Sequence, residues 1–167
     1  MILVTVGTQY PFDRLVSAVD EWAGRTATRP EVLAQVGAGR ADHPNIKCVR
    51  LLDGTRYAEA VESARLVVAH AGAGSVLAAL DHGVPVIVMP RDHRRGEHRD
   101  DHQYQTARQL EKMGLVVVAW SEAELSDLIE HALSGSCRRA AARSGRGAEL
   151  IQYLRSYLSE VLVEKAK

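Results

Sequence analysis

The turn HAGAGS, residues 70–75, carries residue types that are well suited to hold a phosphate group. It directly follows the apolar run LVVA and precedes a helical pattern, so Gly72 and Gly74 allow a tight turn in which a ligand can approach bare backbone. The first N–H groups of the following helix, and its dipole, favour negative charge at this point. Ser75 can donate its hydroxyl, and His70 a ring N–H, to phosphate oxygens. The pattern therefore favours a phosphate or diphosphate as the occupant.

The same turn also has a purely structural interpretation, and the residues alone leave it open. Short glycine-rich turns are weak signals. On this interpretation the glycines only connect a strand to a helix, and Ser75 caps that helix.

A second polar segment, PRDHRRGEHRDDHQ at residues 90–103, follows the apolar run VIVM. Its histidines and acids suggest a metal site, but only His98 and His102 have a familiar ligand spacing, so no metal is predicted. An aspartate of the DD pair can cap a helix that begins near His102. That helix N-terminus would place His102 and Gln103 within reach of a polyhydroxylated ligand. A solvated charged loop is the alternative.

The elements that must position these segments alternate between short apolar runs and helical patterns. The predicted strands are residues 2–6, 32–36, 46–52, 66–69, 84–89 and 115–119. The predicted helices are residues 12–22, 56–64, 75–82, 102–113, 122–133 and about 138–163. Several strands are apolar throughout, as expected when helices cover both faces of a sheet. The chain is therefore predicted to form an α/β fold with a doubly wound, mostly parallel sheet of six strands.

Ligands of such a sheet bind beyond the carboxyl ends of the strands, where both polar segments fall. Gly7 and Thr8, which follow the first strand, fall there too. The connection between the second and third strands is the weak point, because GAGRADHPN supplies only a short loop where parallel neighbours usually need a longer crossover. Either a helix has been lost there or these two strands are arranged differently.

Length and charge limit the possible functions. The 167 residues predict a single domain over the whole chain, and 21 basic against 21 acidic residues argue against a nucleic-acid binder. Cys48 and Cys137 lack ligand spacing and predict a reducing compartment without disulfide or zinc. The apolar start MILVTVG has no basic region before it, which predicts neither a signal peptide nor a membrane span and indicates a cytoplasmic protein.

Three stretches together resemble one known family: MILVTVGTQYPFDRL, HAGAGSVLAALDHGVPVIVMP and DDHQYQTARQLEKMG. They are similar to the nucleotide-sugar-binding half of family 28 glycosyltransferases of the two-domain GT-B type. The resemblance runs from Met1 to about Ala119 and implies the Rossmann-like fold of the C-terminal GT-B half. The pattern is most similar to the small subunits of two-part bacterial enzymes of exopolysaccharide or capsule assembly, in which GEHRDDHQ is typical. The eukaryotic small subunit that supplies the second N-acetylglucosamine of the N-glycan precursor is similar too.

The resemblance implies a diphosphate cradle and a first loop that faces the phosphates and the reacting centre. The cradle residues are His70, Gly72, Ala73, Gly74 and Ser75, with His70 stabilising the departing diphosphate, and the first-loop residues are Gly7 and Thr8.

The resemblance implies further contacts to the nucleoside and the sugar. His102 and Gln103 match a pair that contacts ribose or donor-sugar hydroxyls, and Leu52 matches a position where backbone atoms hold uracil, although a buried strand end explains Leu52 equally well. Many relatives hold the ribose diol with an acidic residue where this chain has Ala78. The identity of the nucleotide is therefore less firmly implied than phosphate binding.

The implied function is that of a donor-binding catalytic subunit of a two-component glycosyltransferase. It would transfer a sugar from a UDP-sugar to a polyprenyl-diphosphate-linked acceptor in polysaccharide synthesis, without a further cofactor. The acceptor site and the catalytic base would lie on a membrane-associated partner subunit, which would hold the protein at the inner face of the membrane. Two alternatives remain: a non-catalytic regulatory or structural subunit, and a stand-alone nucleotide-sugar enzyme such as an epimerase or hydrolase.

The C-terminal segment offers a candidate docking helix. Its apolar stripe is formed by Leu150, Leu154, Tyr157, Leu158 and Val161, and the basic stripe before it by Arg139, Arg143 and Arg146. The helix would either pack on its own domain or dock on the partner, with the arginines toward the partner or toward anionic lipid.

Overall fold

In residues 1–134, six strands form one sheet in the order β3-β2-β1-β4-β5-β6, and every neighbouring pair is parallel. The structure is a computed structural model that describes residues 1–134. The strands are β1 (Ile2–Thr5), β2 (Val32–Gln35), β3 (Lys47–Val49), β4 (Leu66–His70), β5 (Val86–Met89) and β6 (Val117–Val118). The predicted doubly wound α/β sheet is confirmed.

Five α-helices cover the sheet in the described part of the chain. They are α1 (Asp13–Arg25), α2 (Gly54–Ser63), α3 (Ala73–Asp81), α4 (His102–Lys112) and α5 (Glu122–Leu133), with a 3-10 turn at His93–Arg95. None of these helices is long and apolar enough to cross a membrane. The predicted helix at about 138–163, with its apolar and basic stripes, lies outside the described residues, so the proposed extent of the domain, 1–167, stays a prediction.

The sheet separates two apolar cores, which explains why its central strands β1 and β4 are apolar up to their last residues, Thr5 and His70. Successive residues of a strand point to opposite faces. Val4 and Val68 therefore pack with α1 and α5, whereas Leu3 and Val67 pack with α2, α3 and α4. All four side chains are at most 1% exposed. Burial on both faces gives the uninterrupted apolar runs seen in the sequence.

The connection between β2 and β3 contains no helix, yet the two strands are parallel neighbours. Residues 36–46 run along α1 and bond to its acidic side chains. The carboxylate of Asp20 accepts hydrogen bonds from the backbone N–H of Asn45 at 2.8 Å and from its side-chain amide at 3.2 Å. Asp13 accepts one from the backbone N–H of Arg40 at 2.8 Å. These contacts anchor the loop that replaces a crossover helix.

The strand order reverses between β1 and β4, because the chain runs from β1 to β2 on one side and reaches β4 on the other. A doubly wound sheet opens a crevice at such a point, outside the carboxyl ends of the strands. The loop after β1 and the turn after β4 flank this crevice.

Candidate functional site

A cavity of about 1050 Å³ opens at the carboxyl ends of the central strands. That volume lies at the upper end of the range for small-molecule sites. The structure brings all of the sequence-predicted site residues to its walls: Gly7, Thr8, Leu52, His70, Gly72, Ala73, Gly74, Ser75, His102 and Gln103. Their individual roles stay predictions.

The N-terminus of α3 forms one wall of this cavity, and no side chain of the described residues caps it. The cap position is Gly72, in an extended conformation, and the N–H of Val76 closes the first helical turn on the Gly72 carbonyl at 3.2 Å. Ser75 is the third residue of the helix, so the interpretation of Ser75 as its cap is wrong. A Cβ added at Gly74 would meet no atom of the described part of the chain within 4 Å. The first amides of α3 are therefore accessible to an anion in the cavity.

His70 ends β4 with its ring packed between two glycines. A Cβ at Gly7 would lie 2.8 Å from the ring carbon Cε1, and a Cβ at Gly72 would lie 2.0 Å from Nε2. Gly7 also has a φ of +75°, which favours glycine. Both glycines are therefore required by the position of this imidazole as well as by the turns they form.

The His70 ring is neutral at neutral pH. Burial, followed by the charge of Arg91, lowers the pKa of His70 from 6.5 to about 4. Nδ1 lies 3.5 Å from the Thr5 carbonyl oxygen. Because a carbonyl can only accept, the contact favours the tautomer with the proton on Nδ1 and a lone pair on Nε2. Donation from Nε2 to a phosphate oxygen, as predicted from the sequence, then requires a second proton, which a bound anion would favour.

Arg91 is a buried residue of the cavity that the sequence analysis did not single out. It follows β5 and is 3% exposed. Its guanidinium Nη2 donates to the carbonyl oxygens of Val6 at 2.7 Å and Tyr10 at 2.6 Å. Its backbone N–H donates to Gln103 Oε1 at 3.2 Å, so the Gln103 oxygen is occupied and the amide nitrogen stays available to a ligand. The available signal was a charged residue only two positions after an apolar run.

The charged loop after β5 is tied to α1 by Glu97. This carboxylate accepts from Arg14 Nε at 2.7 Å and Nη2 at 2.8 Å, and from the backbone N–H of Asp92 at 2.8 Å. The Arg14 and Glu97 side chains are only 12% and 13% exposed. Part of the polar segment is therefore ordered by a bidentate ion pair, so the interpretation of a solvated loop does not hold for Glu97.

The outer wall contains His98, Asp100 and His102, whose potential ligand atoms lie within 4.8 Å of one another. His102 Nδ1 hydrogen-bonds to the Asp100 carboxylate, which also accepts from the His102 backbone N–H at 3.1 Å. Asp101 occupies the cap position of α4 without a side-chain cap bond, so Asp100 is the aspartate that bonds to the helix start. The expectation that no metal is needed stays a prediction.

The far end of the cavity is lined by polar atoms from β2 and α2. The Leu52 N–H donates to the side-chain oxygen of Gln35 at 2.9 Å, which leaves the Leu52 carbonyl as the backbone group free to meet a ligand. The hydroxyl of Tyr57 is buried and has no hydrogen-bond partner among the described residues. Gln35 and Tyr57 were not predicted as site residues. Each lies in a strand or helix whose sequence pattern indicates only packing against the sheet.

Comparison with known proteins places the chain in a family. The sequence profile of the Glycosyltransferase family 28 C-terminal domain matches residues 1–153. The elloramycin glycosyltransferase ElmGT of Streptomyces olivaceus is 37% identical over 93 residues, which are 53% of this chain and 24% of that protein.

Solved structures show the same fold. MurG of Acinetobacter baumannii aligns with 92% of this chain and 49% of its own length at a TM-score of 0.60 and 16% identity. A UDP-glucose: anthocyanidin 3-O-glucosyltransferase in complex with UDP aligns with 95% of this chain and 35% of its own length, at a TM-score of 0.58 and 17% identity. This chain spans less than half the length of each of these proteins. The expected Rossmann-like half of a GT-B fold is confirmed.

Proposed function

Because the chain belongs to the family of glycosyltransferase family 28 C-terminal domains, we propose that it binds a nucleotide-sugar donor in the cavity at the carboxyl ends of β1 and β4 and takes part in sugar transfer. The observation that carries this proposal is the uncapped N-terminus of α3, which lies beside His70 and buried Arg91 in one cavity. Helix amides and a fixed positive charge suit a diphosphate.

In this proposal the diphosphate lies across the amides of Ala73, Gly74 and Ser75. Transfer of the sugar leaves a nucleoside diphosphate with additional negative charge, and groups that are already oriented toward that charge stabilise its departure. His70 contributes by taking up a second proton from solvent water as the charge develops, because an adjacent anion favours the protonated ring. Gly7 and Thr8, in the loop after the neighbouring strand β1, would lie on the other side of the diphosphate.

The nucleoside occupies the end of the cavity formed by Leu52, Gln35 and Tyr57, and the proposed nucleotide is UDP. A pyrimidine presents both donors and acceptors at its edge. The Leu52 carbonyl can accept from it, and the Gln35 amide nitrogen can donate to it. His102 and Gln103 lie on the opposite wall and would contact hydroxyls of the ribose or the donor sugar.

The finer proposal is a donor-binding subunit that acts with a second, membrane-associated polypeptide. The resemblance of GEHRDDHQ to the small subunits of two-part enzymes supports it. The partner would supply the acceptor site and the base, with a polyprenyl-diphosphate-linked acceptor in polysaccharide synthesis. We expect transfer from a UDP-sugar only when both polypeptides are present; transfer at an ordinary enzymatic rate by this chain alone would refute the requirement.

Calorimetric titration with UDP tests the donor site itself. Gly74→Leu places a side chain in open space at the helix terminus, where it blocks the anion without disturbing the fold. We expect UDP affinity to fall about 100-fold, as for the loss of one or two charge-assisted hydrogen bonds.

Thr55→Leu is the matched control, because Thr55 is the second residue of α2 as Gly74 is of α3, and it is exposed and outside the cavity. This variant should bind UDP as the original protein does. Unchanged UDP binding by Gly74→Leu would refute the diphosphate site, and no UDP binding by the unaltered protein would favour a non-catalytic subunit.

A further inference from the structure

Arg91 is joined to both ends of the loop that follows β1. One nitrogen of its guanidinium donates to the carbonyl of Val6, the first residue after β1, and to the carbonyl of Tyr10, near the other end of the loop. The intervening residues include Gly7 and Thr8, which line the cavity. Because the two bonds fix the ends of a short segment, they restrict the directions in which its amides can point.

The same residue orients a second wall of the cavity. Its backbone N–H bonds to the side-chain oxygen of Gln103 at 3.2 Å, which directs the amide nitrogen of Gln103 away from β5. Arg91 therefore connects the first loop, the end of β5 and the start of α4.

The charge of Arg91 is only partly compensated in the described structure. Its Nε–H is buried and has no hydrogen-bond partner among residues 1–134. Glu97 acts on it through charge, but the bidentate ion pair of Glu97 is made with Arg14. The ring of Phe12 lies 5.2 Å from the guanidinium carbon and supplies a weaker cation–π contact.

Burial of a charged group without a direct counter-ion is destabilising unless other interactions compensate for it. Burial lowers the pKa of Arg91 to about 10, which still leaves the guanidinium charged at neutral pH. A fixed positive charge of this kind, at the wall of a cavity whose helix terminus also favours anions, attracts a negatively charged occupant.

We propose that Arg91 is a positioning residue for the diphosphate of the donor: it holds residues 7–9 in the shape that receives the diphosphate and supplies the buried positive charge behind them. This inference rests on the proposed function and names a residue that the family resemblance did not supply. Arg91 acts mainly through the loop, whereas the amides of α3 contact the diphosphate.

The test compares the affinities of UDP and uridine for variants at position 91. Arg91→Met removes both the charge and the two loop bonds, and Arg91→Lys keeps the charge but cannot reproduce the planar guanidinium. We expect Arg91→Met to lower the affinity for UDP about 30-fold and the affinity for uridine less than threefold, which are order-of-magnitude values for the loss of charge-assisted bonds. Arg91→Lys should lose an intermediate amount of UDP affinity.

Arg50→Met is the matched control. Arg50 also donates to two loop carbonyls, those of Gly37 at 3.3 Å and Gly39 at 2.9 Å, but it does not line the cavity. This variant should leave the ratio of uridine to UDP dissociation constants unchanged, even if it lowers the thermal stability.

If Arg91→Met lowered the affinities for UDP and uridine by the same factor, or left the UDP affinity unchanged, the inference would be overturned and the proposed function would stay intact. If Arg91→Met does not fold, the ratio of the uridine to UDP dissociation constants is measured for Arg91→Lys. An unchanged ratio in that variant would also overturn the inference. Failure of the unaltered protein to bind UDP would instead refute the proposed function on which the inference rests.

Discussion

At the scale of single residues, burial determines the chemistry of His70. The imidazole is held between Gly7 and Gly72 at the edge of the cavity, and its pKa is lowered to about 4 by burial first and by the charge of Arg91 second. In the unfolded chain the same ring has an ordinary pKa near 6.5. The folded protein therefore resists protonation of a group that the unfolded chain protonates readily.

This difference predicts a loss of stability in mild acid. As the pH falls below about 6.5, the unfolded chain binds a proton that the folded chain does not, so the free energy of unfolding decreases. From pH 7 to pH 5 we expect His70 to account for a decrease of about 2 kcal/mol. Urea unfolding at the two pH values measures it.

His70→Asn is the control, because an asparagine amide can still donate to the Thr5 carbonyl but does not titrate. Between pH 7 and pH 5, the free energy of unfolding of this variant should decrease by about 2 kcal/mol less than that of the original protein. An identical pH dependence in the two proteins would show that His70 is not buried in its neutral form.

Residues that carry an evident chemical pattern could be predicted from the sequence, and those that act through the backbone could not. The glycine turn stood out because it directly follows an apolar run, and the HQ pair because it begins a predicted helix after a polar segment. Arg91 did not, because its role depends on the Val6 and Tyr10 carbonyls, which are more than 80 positions away. Gln35 was missed for the same reason, since its partner is the Leu52 backbone N–H.

At the scale of elements, all five helices and six strands that were predicted within residues 1–134 are present, and the differences lie at their ends. The third strand was predicted over residues 46–52 but spans only Lys47–Val49. The chain beyond it turns toward the cavity, where Leu52 bonds to Gln35. Apolar composition continued past the end of the strand, because side chains that line a cavity can be as apolar as those of a strand.

The connection between β2 and β3 has no helix of its own and is held by hydrogen bonds to α1. Asp20 is 7% exposed and accepts both the backbone and side-chain N–H groups of Asn45. Asp20→Ala leaves these donors without their acceptor, and we expect the free energy of unfolding to fall by about 2 kcal/mol.

The exposed Asp127→Ala on α5 serves as the reference for this change, since alanine also suits a helix there and exposed substitutions usually stay within about 0.5 kcal/mol. Both variants are compared with the original protein by urea unfolding at pH 7. If Asp20→Ala proves no more destabilising than Asp127→Ala, the loop is not anchored by this carboxylate.

At the scale of the whole molecule, the site follows from the topology. The reversal of strand order between β1 and β4 opens a crevice, and the first loop, the α3 terminus and the start of α4 all end at it. Alternation of strands and helices was sufficient to predict this architecture. The strand order was not fixed by that alternation, because periodicity identifies elements and carries no information about which elements are neighbours.

The central claim is that this crevice holds a nucleoside diphosphate, with the diphosphate on the N-terminus of α3. A crystal structure of the protein with UDP bound tests it most directly. We predict diphosphate oxygens within hydrogen-bonding distance of the backbone N–H groups of Ala73, Gly74 and Ser75, and the base beside Leu52. A diphosphate bound elsewhere on the protein, with these amides unoccupied, would contradict the claim.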